Sequence, residues 1–293
     1  MESILVIGAG FMGSGIAQVC AQSGYQVHLM DIDPKALETA LSNIKWSVDK
    51  LSSKGRLRDT PATVLGRITS EKTLESAAGV QWVIEAALEV EELKKEVFQE
   101  LDRLAPVDTP LASNTSSIPI SRIAGVTQHP GRVLGLHFFG PVPLMGLVEV
   151  VKGEKTDINV FDRGVEFVKS LGKTAVRVHR DIPCFVMNRI FAAAFRESVD
   201  LVEKGIVSPA DVDVGMKLGY GWNAGPFEIA DNAGLDTYVL IGKAMKALGE
   251  ENFISKSDLI EKMVAAGRVG RKAGKGFYRY TAEGKRVSWD SDD

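Results

Sequence analysis

The stretch Ser3-Ile4-Leu5-Val6-Ile7-Gly8-Ala9-Gly10-Phe11-Met12-Gly13-Ser14 decides the fold. A run of strand composition passes directly into a glycine-rich turn, and residues 14–23 continue with apolar spacing of helical period. In that context each glycine has a task. Gly8 allows a tight turn, Gly10 lets the backbone approach a pyrophosphate, and Gly13 permits close packing of helix on strand. The helix N-terminus then faces the phosphates, with Phe11 and Met12 filling the intervening positions of the cofactor loop. Residues 26–30 read as a second strand, and Asp31 follows it at the distance where a carboxylate binds ribose hydroxyls. That carboxylate would repel a 2′-phosphate, so NAD is expected over NADP. A turn without a nucleotide and an FAD site are the rival readings.

Outward from this turn, strand-like runs alternate with helix-length segments at residues 80–84, 111–113, 133–138, 147–151 and 174–178. The alternation predicts an α/β domain with a Rossmann-type doubly wound sheet over residues 1–182. After Arg180-Asp181-Ile182-Pro183 the pattern changes. Residues 186–204 carry apolar residues at helical spacing, Ser208-Pro209 opens another helix, and no alternating strand pattern follows until Phe277. Residues 183–293 are therefore expected to form an all-helical C-terminal domain. Within the first domain, residues 34–54 predict a long helix that carries Lys45, Lys50 and Lys54, with Arg56 and Arg58 just beyond.

Composition narrows the classes. The 293 residues suit two domains, and 45% hydrophobic with 25% charged residues is ordinary for a globular protein. A formal net charge of −3 argues against a nucleic-acid partner. No apolar run is long enough for a membrane span, and strand residues begin at Ser3, so no membrane association and a cytoplasmic location are expected. The two cysteines, Cys20 and Cys184, fit buried thiols and offer neither a disulfide framework nor a metal site.

Gly135-Leu136-His137-Phe138-Phe139-Gly140-Pro141 sets a histidine at a strand end, on the side of a parallel sheet where ligands bind. Leu147-Val148-Glu149-Val150-Val151 then buries one carboxylate inside an apolar strand, which is costly unless it is paired. His137 is the nearest candidate partner in sequence. Such a pair suits alcohol oxidation: the imidazole takes the hydroxyl proton as hydride leaves carbon, and Glu149 orients the ring and stabilises the imidazolium. From the residues alone, His137 stays open between a base and a satisfied structural histidine. Asn114-Thr115-Ser116-Ser117 also follows a strand, as a ligand loop or a helix cap. Asn188, at the start of a largely apolar helix, is ambiguous by itself.

Taken in order, these residues resemble the 3-hydroxyacyl-CoA dehydrogenase family, including the bacterial 3-hydroxybutyryl-CoA dehydrogenases, over essentially the whole chain. The specific pieces are the stretches Ser113 to Ser117, Leu136 to Phe139 with Val148-Glu149-Val150, Val186-Met187-Asn188-Arg189, and Gly225-Pro226-Phe227-Glu228. The resemblance implies His137 as base, Glu149 as its partner, and Ser116 and Asn188 around the reacting centre and substrate, with Ser116 also touching cofactor. Glu89, Lys94 and Lys272 match cofactor contacts, with a solvated charged face as the alternative for these charges. Ser47 and Lys54 match coenzyme A contacts on the lysine-rich helix, which suits a polyanionic ligand, with a solvated basic face as the rival reading. The implied reaction is NAD-dependent oxidation of a short (S)-3-hydroxyacyl-CoA, as used in fatty-acid oxidation and butanoate metabolism. A homodimer through the helical domain is implied as well.

The chain also departs from the family. Gly140 stands where asparagine is usual, Gly146 where lysine is common, and Trp222-Asn223-Ala224-Gly225 replaces a shorter proline-methionine turn. Two other functions remain as rivals: a dehydrogenase of free sugar acids such as gulonate, and a nucleotide-binding relative without turnover.

Overall fold

The computed structural model describes residues 2–289 and divides into two compact units, Met1–Phe185 and Val186–Asp293. The first runs β1 (Ser3–Ile7), α1 (Phe11–Gln22), β2 (Gln26–Met30), α2 (Pro34–Ser53), α3 (Pro61–Leu65), β3 (Ile68–Glu71), β4 (Trp82–Glu85), α4 (Glu91–Leu104), β5 (Leu111–Ser113), α5 (Ile120–Ala124), β6 (Val133–Phe138), β7 (Leu147–Val151), α6 (Ile158–Ser170) and β8 (Thr174–Val178). The strands form one eight-stranded sheet in the order β3-β2-β1-β4-β5-β6-β7-β8. Apart from the antiparallel β6–β7 pair, all neighbours are parallel. The connection from Phe139 to Gly146 is too short for a crossover helix, which forces β7 to run back alongside β6.

This order places the topological switch point between β1 and β4, where Ile7 lies opposite Glu85. Ligands of open α/β sheets bind in the crevice at such a point. The strand interiors are apolar on both faces because helices cover both sides: Ile4, Val6, Ile84, Leu134 and Val150 are all buried. Helix α2 follows its sequence signals. The Asp33 carboxylate accepts from the Lys35 N–H at 2.9 Å, Pro34 opens the first turn, and Leu37, Ala40, Ile44 and Val48 form the buried stripe.

Two differences from the sequence reading of this unit concern strands, and a third, a short ribbon, lies in the unit expected to be all-helical. β3 was not anticipated, because Ile68-Thr69-Ser70-Glu71 is an edge strand that lacks an apolar run. The fourth strand also begins later than residue 80 and ends on Glu85.

The second unit is helical: α7 (Met187–Glu203), α8 (Pro209–Tyr220), α9 (Pro226–Ala233), α10 (Leu235–Ala247) and α11 (Leu259–Ala265). A two-stranded ribbon, β9 (Tyr278–Tyr280) and β10 (Arg286–Trp289), follows them. Its core gathers Phe195, Phe227, Phe277 and Tyr278. Two buried carboxylates fasten the ribbon to the helices. Asp213 accepts from the N–H groups of Phe227 and Glu228 and from the Tyr278 hydroxyl, and Asp231 accepts from the N–H groups of Phe277 and Tyr278. Burial raises both carboxyls above their ordinary range despite these donors. Among the described residues no helix is long and apolar enough to cross a membrane. Both cysteines are buried, and burial pushes the Cys20 thiol up to about 12.

Candidate active site

The glycine turn between β1 and α1 is built by close approach. Gly8 has φ +95°, and a β-carbon there would lie 2.6 Å from the Ala86 carbonyl oxygen. At Gly13 a β-carbon would come within 1.7 Å of the Gly8 oxygen. Neither position admits a side chain. Gly10 differs, because a β-carbon there would meet nothing within 4 Å, and this is the side from which a phosphate can approach. Gly10 also caps α1 without a side chain, so the N–H groups of the first turn, Phe11 and Met12 among them, point to that open side. At the end of β2 the Asp31 carboxylate accepts from Ala9 N–H at 2.7 Å and from Asp33 N–H at 2.9 Å. Asp31 thus braces the turn and stands beside the crevice with lone pairs to spare. The residues fit a dinucleotide.

On the far side of the switch point, the antiparallel register sets His137 directly opposite Glu149. Residues so paired share a face of the sheet. Nδ1 of His137 lies 2.7 Å from Oε2 of Glu149, and both side chains are buried. An ionised carboxylate can only accept, so against it Nδ1 is the donor, and in a neutral ring Nε2 then keeps its lone pair. The ring is wedged between Phe139, at 4.6 Å between centroids, and Phe185, at 5.6 Å. The position of the ring is held from both sides.

Comparison with known proteins identifies the family. The family model for the 3-hydroxyacyl-CoA dehydrogenase NAD binding domain matches residues 3–182, and that for the C-terminal domain of the same enzymes matches residues 185–280. The chain belongs to the 3-hydroxyacyl-CoA dehydrogenase family. It is 42% identical over 282 residues to a Bacillus subtilis (strain 168) protein named "Probable 3-hydroxybutyryl-CoA dehydrogenase", covering 96% of this chain and 98% of the relative. The human mitochondrial hydroxyacyl-coenzyme A dehydrogenase is 39% identical over 291 residues, covering 96% of this chain and 91% of that protein. Among solved structures, (S)-3-hydroxybutyryl-CoA dehydrogenase from Ralstonia eutropha superposes with a TM-score of 0.89 at 36% identity, covering 96% of this chain and 99% of that one. As a member of this family the chain is an oxidoreductase with NAD as cofactor.

In this dehydrogenase the two cofactor candidates on and before α4 form a polar chain that runs from the buried Lys94 to the exposed Glu89. Lys94 is 1% exposed, and its Nζ lies 2.6 Å from Oε1 of Glu85 and 3.5 Å from Oε2 of Glu89. A solvated helix face is therefore not where Lys94 sits. Glu85 also accepts from Ala87 N–H and from the Ser113 hydroxyl, each at 2.7 Å. Glu89 Oε1 gathers the Thr115 hydroxyl at 2.7 Å, the N–H groups of Ser116 and Ser117 at 2.8 and 2.9 Å, and the Ser117 hydroxyl at 2.8 Å. Burial would raise the Glu89 carboxyl, but the Lys94 charge and the donors of Thr115 and Ser117 outweigh it and hold it below the usual carboxylate range. Next to this loop, Asn114 Oδ1 accepts from Phe138 N–H at 2.9 Å, which ties the Ser116 loop to the residue after His137.

Glu85 was missed in the sequence, although a carboxylate ending an apolar strand is the signal that singled out Glu149. The helical phase of α4 also puts Lys94 on one face with Phe98 and Leu101, both buried.

A cavity of about 880 Å³ lies between α1, α2 and the β6–β7 connection. Ser47 and Lys54 line it together with Lys50, Arg56 and Trp46, and Gly10, Phe11, Val142 and Leu144 line it as well. Lys173, not singled out in the sequence, shapes the wall: its Nζ donates to the carbonyls of Val142 at 2.7 Å and Met145 at 2.6 Å. The remaining two candidates lie in the second unit. Asn188 sits in the first turn of α7, and Lys272 pairs with Asp236 at 2.7 Å.

Proposed function

We propose that this dehydrogenase oxidises short (S)-3-hydroxyacyl-CoA thioesters, such as (S)-3-hydroxybutyryl-CoA, to the 3-oxoacyl-CoA, with His137 as general base. The observation that carries this reading is the buried Nδ1 to Oε2 pair at the ligand end of the sheet. With Nδ1 engaged by Glu149, His137 presents Nε2 to the 3-hydroxyl and takes its proton; Glu149 then faces a cation and stabilises it. Bound NAD supplies the acceptor for the hydride that leaves C3. The first turn of α1 holds the pyrophosphate by backbone N–H groups, and Asp31 takes the ribose hydroxyls. Glu89 and Lys94 shape the cofactor crevice and position Ser116 at its edge, and the resemblance assigns Lys272 to cofactor and Asn188 to substrate.

Coenzyme A belongs in the cavity lined by Ser47 and Lys54, where cations meet an apolar wall. The short acyl length is supported by the names of the Bacillus and Ralstonia relatives. Residues 1–182 as cofactor domain and 183–293 as substrate and dimerisation domain complete the proposal, together with a cytoplasmic location.

The test follows NADH absorbance with (S)-3-hydroxybutyryl-CoA, its R enantiomer, and free hydroxy acids including gulonate. Turnover of the S thioester alone is expected. NADH formation with a free sugar acid and none with the thioester would replace the reading by the sugar-acid one, and no reduction with any substrate would leave a binding protein. In His137→Gln, turnover should fall by orders of magnitude with NAD affinity nearly unchanged.

A further inference from the structure

The geometry points to Phe11 as a specificity-determining residue, its ring turned over Gly140 to form the inner apolar wall past which the pantetheine arm of the thioester reaches His137. This rests on the coenzyme A reading of the cavity. Gly140 lies three positions beyond His137, within about 11 Å even if the chain between them is extended. A β-carbon at Gly140 would lie 2.6 Å from Phe11 Cε1, 3.3 Å from its Cζ and 3.4 Å from Met12 Sδ. The ring therefore occupies the room that a side chain at position 140 would need. Gly140 is outside the left-handed region, so a side chain there meets the ring and not a backbone restriction.

Phe11 is 69% exposed, a large apolar surface left open in the first turn of a cofactor-binding helix. What it faces is the cavity. Pro141, Val142 and Leu144 continue the same apolar wall, while Lys50, Lys54 and Arg56 supply cations to the same cavity. A thioester whose phosphates lie among those cations would carry its carbonyl along this wall, which runs through Pro141 toward the strand that holds His137. The arm it carries is mostly methylene and methyl groups broken by two amides, which an aromatic wall suits. The cofactor, in contrast, meets the backbone of the Phe11 turn, which a change of side chain leaves in place.

The experiment compares Phe11→Ala, Phe11→Leu, Gly140→Ala and the double variant Phe11→Ala with Gly140→Ala, each checked for folding by thermal melting. KM and kcat are measured for (S)-3-hydroxybutyryl-CoA and for NAD, with competition by free coenzyme A. Phe11→Ala should raise the thioester KM about tenfold, the usual order for loss of an apolar wall. Inhibition by free coenzyme A should weaken in step while the NAD KM moves less than twofold, and Phe11→Leu should retain most of the affinity. Gly140→Ala should show a comparable loss by displacing the ring, and the double variant should be no worse than Phe11→Ala alone. The inference is overturned if Phe11→Ala leaves the thioester KM within twofold, if the loss falls on NAD instead, or if the two penalties multiply. Should Gly140→Ala fail to fold, the Phe11→Ala and Phe11→Leu pair still decides by its KM values. An unmodified enzyme that reduces no NAD with any 3-hydroxyacyl-CoA would instead remove the underlying function.

Discussion

Glutamine at position 149 tests the proposed base most directly, because it keeps the shape of the side chain and removes only its charge. Glu149 is fully buried and lies 2.7 Å from Nδ1 of His137 on the adjoining strand. A base must start with a neutral ring, and an amide oxygen still accepts from Nδ1 of such a ring, so folding and substrate binding should survive. The cost appears when the ring takes the hydroxyl proton. A buried cation then stands without its counter-charge, a situation that costs about 3–5 kcal/mol. At roughly 1.4 kcal/mol per factor of ten, kcat should fall by about two to nearly four decades. The KM for the thioester and the dissociation constant of NAD should stay within about threefold, the pattern expected when an interaction matters only in the transition state. Stopped-flow and steady-state NADH absorbance give kcat, and fluorescence titration gives NAD binding. A Glu149→Gln enzyme with kcat within tenfold of the parent, or one whose loss lies in KM, would refute the assignment of Glu149 as the partner of a working base.

Other outcomes follow from the same geometry. Lys94→Met leaves the fully buried Glu85 without its cation and should cost about 3–5 kcal/mol. For a unit of this size that is a fall of roughly 6–20 °C in Tm by calorimetry, and a fall under about 3 °C would contradict the buried pair. Lys54→Ala with Arg56→Ala should raise the KM for (S)-3-hydroxybutyryl-CoA about tenfold in low salt, and less as salt screens the charges. The corresponding pantetheine thioester, lacking the nucleotide phosphates, should show no such change; equal effects on both would place the phosphates elsewhere. Because the folded-state pKa of Glu89 is depressed, its contribution is full above the unfolded value of about 4.3 and is lost as pH falls through the folded value. The melting difference between the parent and Glu89→Gln should therefore be steady near pH 6 and shrink below about pH 4.3, and a difference that grew on acidification would reverse the sign.

Much of the first unit is legible because its signals are local. Strand periodicity, the glycine turn and the Asp33-Pro34 helix start each lie within a few residues of what they specify. His137 and Glu149 are legible for another reason: an apolar strand cannot leave a carboxylate alone, and a short connection between two strands forces them to pair. β3 escapes because an edge strand needs no apolar run. Lys173 escapes because its partners are backbone carbonyls of Val142 and Met145, which leave no mark in the sequence. Phe11 escapes for a similar reason, since only the folded chain brings Gly140 beneath its ring.

The chain of the buried Glu85 and Lys94 with the exposed Glu89 connects two places that the sequence treats separately. Glu85 stands beside Ile7 at the switch point, Glu89 gathers the Ser116 loop, and Asn114 ties that loop to the strand carrying His137. For stability alone, a buried ion pair is often no better than apolar residues of the same volume. Its value here lies in direction, since charged acceptors fix where hydroxyls and N–H groups point, and a satisfied network is rigid. Stability and positioning can be separated experimentally. The double variant Glu85→Gln with Lys94→Met removes both charges, so most of the Tm lost in Lys94→Met alone should return. The Ser116 loop would nevertheless lose the charge that holds Glu89 in place, and a displacement on the order of 1 Å near a reacting centre costs up to about a hundredfold in rate. The double variant should therefore melt near the parent temperature but turn over at least tenfold more slowly, as measured by NADH absorbance. If its kcat matched the parent, the network would serve folding alone, and the link from crevice to base would be geometric without consequence for the reaction.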